Sequence, residues 1–98
     1  MSHRDVFVVS TARTAIGTFG GALKDVPNTQ LATTAVKAAI ARSGLAPDAV
    51  GHVVMGNVIP TDTKDAYLAR VAAIDAGCPI ETPAFNVNRL CGSGLQAI

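Results

Sequence analysis

One short segment combines a cysteine with small and polar neighbours. Cys91 follows the run Asn88-Arg89-Leu90 and precedes Gly92 and Gly94. The pattern predicts an apolar strand, a sharp turn and a helix that begins near Cys91. Unpaired N–H groups and the dipole at a helix start favour the thiolate, which is the nucleophilic form of cysteine. Cys91 is therefore a candidate nucleophile, and the same N–H groups are candidate donors to an oxyanion on a bound acyl group.

Two other interpretations of these residues remain open. A free cysteine at a tight turn is often a small, buried and unreactive side chain. The run from Gly92 to Ala97 also fits the G-x-G-x-x-G/A pattern of a dinucleotide-binding module. That match is weak, because polar Asn86, Asn88 and Arg89 stand where a smooth apolar strand is expected.

The other candidate side chains favour structural roles. His52 lies among apolar residues and is interpreted as a core or edge histidine, and Cys78 as a packing residue. Residues 17–24 are superficially like a phosphate loop, but the Gly-Lys-Ser/Thr signature is absent. No Cys/His spacing fits a zinc site. The remaining candidates are interpreted as loop tethers or, for the tyrosine, as a packing anchor on the second helix: Arg13, Arg70, Arg89 and Tyr67.

The elements that must position Cys91 alternate between strands and helices. Apolar runs predict strands at residues 6–10, 50–58 and 84–88. Three-four spacing and turn signals predict helices at residues 31–43, about 66–76 and from near Cys91 onward. Asn28 or Thr29 is the predicted first cap, and Gly44 and Gly77 are predicted helix stops. The order βαβαβα predicts an α/β fold with a parallel-type sheet and layered helices.

Composition narrows the class of protein. The net charge of the 98 residues is +1, which gives no electrostatic case for nucleic acid or a membrane surface as partner. No apolar stretch approaches the ~20 residues of a spanning helix. Two cysteines without a framework indicate a reducing compartment, and we expect the cytoplasm.

The chain has few large apolar side chains with which to build a complete hydrophobic core. Hydrophobic residues make up 49%, but many are alanines, which bury little area each. The last helix shows no stop signal before Ile98. We therefore expect residues 1–98 to be an incomplete domain that stops inside the helix after Cys91.

Three stretches carry a resemblance to a known family. They are Arg13-Thr-Ala-Ile-Gly-Thr-Phe-Gly-Gly21, residues 56–58 together with 70–73, and Asn88-Arg-Leu-Cys-Gly-Ser-Gly-Leu-Gln-Ala-Ile98. With these stretches the chain resembles the N-terminal part of a thiolase, an acetyl-CoA acetyltransferase or β-ketothiolase. Residues 62–70 are more similar to the broad-specificity β-ketothiolases than to the short-chain biosynthetic ones.

The resemblance implies a fold and a reaction. The fold would be the first βαβαβα portion of the N-terminal thiolase half, with Cys91 as the nucleophile that accepts the acyl group. The reaction would be thiolytic cleavage or Claisen condensation of 3-ketoacyl-CoA, with CoA thioesters as substrates and neither cofactor nor metal. A ketoacyl-synthase-type condensing enzyme is the alternative within the same chemistry.

The resemblance also implies what this segment lacks. The activating His, the second catalytic Cys and a water-binding Asn of thiolases lie later in the chain, so the isolated segment should be inactive. A homodimer or homotetramer is implied, and we expect residues 84–87 to be covered by a partner or by further chain.

Overall fold

A computed structural model describes residues 3–98. The helices and strands in this part of the chain are, in order, α1 (Asn28–Ser43), β1 (Val53–Gly56), α2 (Leu68–Asp75), β2 (Ala84–Val87) and α3 (Ser93–Ala97). The two strands pair in parallel, with Val53 opposite Ala84 and Gly56 opposite Val87. Helix α2 forms the crossover that parallel neighbours require. The predicted parallel α/β arrangement is confirmed.

Helix α1 begins earlier than the sequence predicted. Pro27 occupies the N-cap position and no side chain caps the helix, so the predicted cap at Asn28 or Thr29 is wrong. The Asn28 side chain instead reaches the loop before α2. At the other end Gly44 has a φ of 74°, which confirms the predicted glycine stop.

Helix α2 is shorter than predicted because its first part is a separate turn. A 3₁₀ turn, Thr63–Tyr67, precedes the α-helix. The Asp62 side chain accepts a hydrogen bond from the Lys64 N–H, and the Asp65 side chain accepts one from the Asp62 N–H. This reciprocal capping starts the turn before the α-helix. Gly77, with a φ of 96°, ends the helical segment as predicted.

The core lies on both faces of α2. One cluster joins α1 to α2 through Ala32, Leu68 and Ala72, and the other joins α2 to the sheet through Val53, Ala69, Ala73 and Cys78. Most of these side chains are alanines, which lets the helices and strands approach closely.

Residues 6–10 do not form the predicted strand. The sheet that residues 3–98 form has two strands, β1 and β2, and residues 6–10 pair with neither. Their apolar side chains stay exposed, from 91% at Val6 to 66% at Val9. The segment is held instead by the Ser10 hydroxyl, which donates to the Ala39 carbonyl of α1 at 2.6 Å. The prediction failed because a strand needs a neighbour for its backbone hydrogen bonds.

The other two strands form where predicted but are shorter. β1 occupies the middle of residues 50–58, and β2 ends one residue early. Strand β2 is partly exposed, with Phe85 at 48%. As expected, residues 3–98 do not bury this strand by themselves. What covers β2 stays a prediction. None of the helices described has the length and apolar character to cross a membrane.

Candidate active site

The carboxyl ends of β1 and β2 meet beside the cysteine turn, which is the segment 88–93 that contains Cys91. Gly56 and Val87 are the last pair of the ladder. Beyond them the Asn57 N–H donates to the Val87 carbonyl at 3.0 Å, and Asn88 Nδ2 donates to the Val58 carbonyl at 3.1 Å. The chain therefore leaves β2 from a fixed point.

The segment between β2 and α3 is a tight turn closed by hydrogen bonds. The Leu90 N–H donates to Asn88 Oδ1 at 3.0 Å. The Gly92 N–H donates to the Arg89 carbonyl, and the Ser93 N–H to the Leu90 carbonyl, both at 3.0 Å. Leu90 has a φ of 49°, in the left-handed region that a residue with a branched side chain rarely adopts. The turn therefore holds the chain in a conformation that leucine disfavours.

Cys91 lies in this turn and is exposed. The interpretation of Cys91 as a small buried residue is therefore wrong. Helix α3 begins two residues later, at Ser93, with Gly92 as N-cap, so Cys91 lies just before the first helical turn and not in it. Because the Gly92 and Ser93 N–H groups already have acceptors within the turn, they are not free for an oxyanion. No hydrogen bond among residues 3–98 uses the Cys91 N–H, which leaves this donor available.

Gly56 lets the end of β1 lie directly against the start of α3. A Cβ atom at this position would lie 2.7 Å from the Ser93 carbonyl carbon and 2.9 Å from the Gly94 nitrogen. Those distances are shorter than real Cβ atoms show. No local signal in the sequence indicates this contact, because the two segments are far apart in the chain.

The Ser93 side chain closes the cysteine turn from within. It is 4% exposed. Its Oγ accepts a hydrogen bond from the Arg89 N–H and donates one to the Leu90 carbonyl, both at 2.7 Å. Sequence reasoning missed this residue, since a serine between two glycines looks like an ordinary flexible turn.

A buried carboxylate holds the loop before α2. Asp65 is 1% exposed. Its Oδ2 accepts hydrogen bonds from the Thr61 N–H at 3.0 Å, the Thr61 hydroxyl at 3.1 Å, the Asp62 N–H at 3.0 Å and Asn28 Nδ2 at 2.8 Å. The Thr61 backbone bond, followed by the Asn28 bond, lowers the pKa of the Asp65 carboxyl. The carboxylate therefore ties this loop to the start of α1.

Two asparagines connect this loop to the strands. Asn57 Nδ2 and Asn86 Nδ2 donate to the Asp65 carbonyl at 3.2 Å and 3.0 Å. The Ala69 N–H of α2 donates to Asn86 Oδ1 at 2.9 Å. The amides thus fix the start of α2 relative to both strand ends. Asn86 is polar where an apolar strand was expected, and these hydrogen bonds explain why.

Arg70 and Cys78 have the structural roles expected of them. The guanidinium of Arg70 donates to the Ile80 and Thr82 carbonyls, each at 2.8 Å, and is the predicted loop tether. Cys78 is 6% exposed, and burial raises the pKa of its thiol.

The other candidates lie outside the cysteine turn or act locally. The His52 ring packs edge-on against Phe85, with ring centroids 5.0 Å apart. Within residues 3–98 the Arg13 guanidinium donates only to the carbonyl of the adjacent Thr14, so it tethers no distant loop in this part of the chain. Tyr67 is 54% exposed, so its predicted role as a packing anchor is wrong. Residues 3–98 contain no cluster of three or more His, Cys, Asp or Glu side chains that could hold a metal ion.

The structure defines an α/β protein in which a tight turn after a parallel strand presents a cysteine to solvent. The sequence model of the family described as thiolase, N-terminal domain, matches residues 6–98. The chain therefore belongs to the thiolase family.

Individual relatives agree with the family match. Beta-ketothiolase BktB of Cupriavidus necator is 60% identical over 95 residues, which are 97% of this chain and 24% of the relative. The human mitochondrial 3-ketoacyl-CoA thiolase is 47% identical over 95 residues, again 97% of this chain and 24% of the relative.

A solved structure agrees as well. The human mitochondrial 3-ketoacyl-CoA thiolase in complex with CoA aligns with a TM-score of 0.89 and 47% identity, over 92% of this chain and 23% of that chain. The layered α/β fold expected from the resemblance is therefore confirmed. The chain spans about a quarter of these relatives' length, 24% for the first of them.

Proposed function

We propose that the full-length protein containing this chain is an acetyl-CoA C-acyltransferase, a β-ketothiolase, with Cys91 as its nucleophile. The observation that supports this most strongly is the exposed Cys91 in a hydrogen-bonded turn, within a chain that belongs to the thiolase family. The relatives are a beta-ketothiolase and a 3-ketoacyl-CoA thiolase by name.

The proposed reaction has two halves. The Cys91 thiolate attacks the carbonyl carbon of an acyl-CoA thioester, the carbon–sulfur bond to CoA breaks, and CoA leaves as a thiolate that takes up a proton. The acyl group is then bound to Cys91 Sγ. In condensation the enolate carbon of acetyl-CoA attacks this acyl group, which forms a carbon–carbon bond and releases the Cys91 thiolate. In breakdown these steps run in reverse, with CoA as the attacking thiol.

The backbone of the turn supplies a second group for this chemistry. Negative charge develops on the thioester oxygen as the carbonyl carbon is attacked, and a fixed N–H donor stabilises that charge. The Cys91 N–H is the donor we propose, because the Gly92 and Ser93 N–H groups are already bonded inside the turn.

We further propose that residues 1–98 are part of an N-terminal thiolase domain that is completed by other chain. Two observations support this: the chain spans 24% of its first relative, and the apolar residues 6–9 lie exposed. The activating His, the second Cys and the Asn would come from that other chain, so residues 1–98 alone should not transfer acyl groups.

The assembly and the compartment are proposals as well. A homodimer or homotetramer would cover the exposed Phe85 of β2, and light scattering of the full-length protein measures its mass. A cytoplasmic location suits two cysteines that are both free thiols. Cell fractionation checks it, and recovery with mitochondria, where the human relative's name places that protein, would contradict it.

The experiment that tests the function compares two cysteine variants of the full-length protein. We expect Cys91→Ser to lower the rate of 3-ketoacyl-CoA cleavage by CoA by on the order of 10³-fold or more, because the nucleophile is lost. The matched control Cys78→Ser should retain most of the rate, since Cys78 has no access to substrate. Cleavage at the wild-type rate in Cys91→Ser would refute the assignment. Condensing activity without any cleavage by CoA would favour the ketoacyl-synthase alternative.

A further inference from the structure

The Ser93 hydroxyl, together with the Ser93 N–H, holds the peptide unit that carries the Cys91 N–H. Its Oγ donates to the Leu90 carbonyl at 2.7 Å, and that carbonyl belongs to the same planar peptide unit as the Cys91 N–H. No peptide bond in residues 3–98 is cis, so the C=O and N–H of this unit point in opposite directions. Fixing the Leu90 carbonyl therefore fixes the direction of the Cys91 N–H.

The turn needs this restraint because of its backbone. Leu90 has a φ of 49°, and an L-residue with a side chain disfavours that region. The same Ser93 Oγ accepts a hydrogen bond from the Arg89 N–H at 2.7 Å. One hydroxyl thus links the Asn88–Arg89 peptide unit to the Leu90–Cys91 peptide unit. At 4% exposure of Ser93, little water can compete for it.

We propose that Ser93 is a positioning residue that orients the Leu90–Cys91 peptide, so that the Cys91 N–H faces the oxygen of the thioester under attack. The inference rests on the proposed acyl transfer, because an oriented N–H matters only where an oxyanion forms. Ser93 itself does not touch the substrate.

The chain offers a matched control for removing this hydroxyl. Ser43 Oγ donates to the Ile40 carbonyl at 2.6 Å and accepts from the Leu45 N–H at 3.1 Å. Ser43→Ala and Ser93→Ala therefore delete the same group with the same kinds of backbone partner, but only Ser93 acts on the cysteine turn.

The experiment measures two reactions of Cys91 in the full-length protein. Acylation by acetyl-CoA passes through an oxyanion, whereas alkylation by iodoacetamide is a displacement at carbon with no oxyanion. We expect Ser93→Ala to lower the acylation rate and kcat about 10-fold or more with KM unchanged, while alkylation of Cys91 stays near the wild-type rate. Ser43→Ala should leave both reactions unchanged.

Three results would overturn the inference. The first is acylation of Ser93→Ala at the wild-type rate. The second is an equal fall in the acylation and alkylation rates of Ser93→Ala, which would indicate a loosened turn. The third is a loss of acylation in Ser43→Ala as large as that in Ser93→Ala. Absence of any acyl-enzyme in the wild-type protein would instead refute the proposed function on which the inference rests.

A second variant covers the case in which Ser93→Ala does not fold. In Leu90→Gly/Ser93→Ala, glycine adopts the left-handed conformation without help, but no hydroxyl orients the peptide. We expect this protein to fold, to alkylate normally and to acylate slowly. Acylation at the wild-type rate in the double variant would also overturn the inference.

Discussion

The two cysteines of this chain lie in opposite surroundings. Cys78 is buried after α2, where it packs with Val53, Ala69 and Ala73, and its N–H donates to the Ala73 carbonyl at 2.9 Å. Cys91 is exposed in the turn between β2 and α3. Both are free thiols, so the surrounding chain decides which one can meet a substrate.

The residues that precede the two cysteines differ in how well they suit their backbone conformation. Gly77 and Leu90 both have a positive φ, 96° and 49° respectively. Glycine adopts such a conformation freely, whereas for leucine it is strained. The helix end before Cys78 thus uses the residue that suits its backbone, whereas the turn before Cys91 holds an unfavourable conformation by hydrogen bonds. Backbone strain of this kind is concentrated at functional sites.

The largest expected effect is a difference in labelling rate. In the full-length protein iodoacetamide should alkylate Cys91 at least about 100-fold faster than Cys78, because the buried thiol reacts only when its surroundings open. For Cys78 the raised pKa lowers the thiolate fraction as well. Mass spectrometry of digested samples over time measures both rates. Equal rates would show that burial does not separate the two sites.

The next largest effect should come from the contact between Gly56 and the start of α3. Gly56→Ala places a Cβ within 2.7 Å of the Ser93 backbone, and overpacking of this kind costs about 1–3 kcal/mol. The matched control is Gly51→Ala, because a Cβ at Gly51 meets no atom within 4 Å. Denaturant unfolding compares the two variants. A loss of stability in Gly51→Ala as large as that in Gly56→Ala would contradict the close approach.

The loop before α2 should respond to pH. Hydrogen bonds lower the pKa of Asp65 below its ordinary 3.8, so the carboxylate contributes stability above that pH. The contribution is lost as the pH falls through the lower folded-state pKa. Asp65→Asn should therefore be less stable than wild type near neutral pH, by less than the Gly56→Ala loss, and the gap should narrow below pH 3.8.

Urea titrations across pH measure that gap. The control is Asp75→Asn at the exposed end of α2. A gap for Asp65→Asn that stays constant with pH would contradict the role of its carboxylate.

The smallest effects concern the two positive-φ residues. Gly77→Ala should destabilise the protein by about 1–2 kcal/mol, because alanine resists the left-handed region. Leu90→Gly should change stability by less than about 1 kcal/mol, since relief of the backbone conformation offsets the greater freedom of glycine in the unfolded chain. Thermal unfolding of both variants compares them, and a larger loss in Leu90→Gly would show that Leu90 is not strained.

Local signals in the sequence predicted most of the helices, both strands and their parallel pairing. Glycine after an apolar stripe located the ends of α1 and α2, and alternating strand and helix patterns predicted the parallel pairing. The turn cysteine was found because a polar run followed by small residues interrupts the apolar pattern. Each of these features depends on residues that are neighbours in the chain.

What escaped prediction depends on partners distant in sequence. Residues 6–10 have the composition of a strand, but no strand within residues 3–98 pairs with them. Asn86 bonds to residues 17 to 21 positions away, and Gly56 is required by backbone that comes much later. The Ser93 hydroxyl became meaningful only once the direction of the Leu90 carbonyl was known. Side-chain-to-backbone hydrogen bonds of this kind leave no periodic pattern in a sequence.

Trapping the acyl-enzyme tests directly whether Cys91 is the nucleophile. The full-length protein is mixed with acetyl-CoA, quenched in acid and digested, and the peptides that contain Cys78 and Cys91 are weighed. We predict that the Cys91 peptide gains one acetyl group, which hydroxylamine or added CoA removes, while the Cys78 peptide is unchanged. An acetyl group on any other residue, or none on Cys91, would contradict the assignment of Cys91 as the nucleophile.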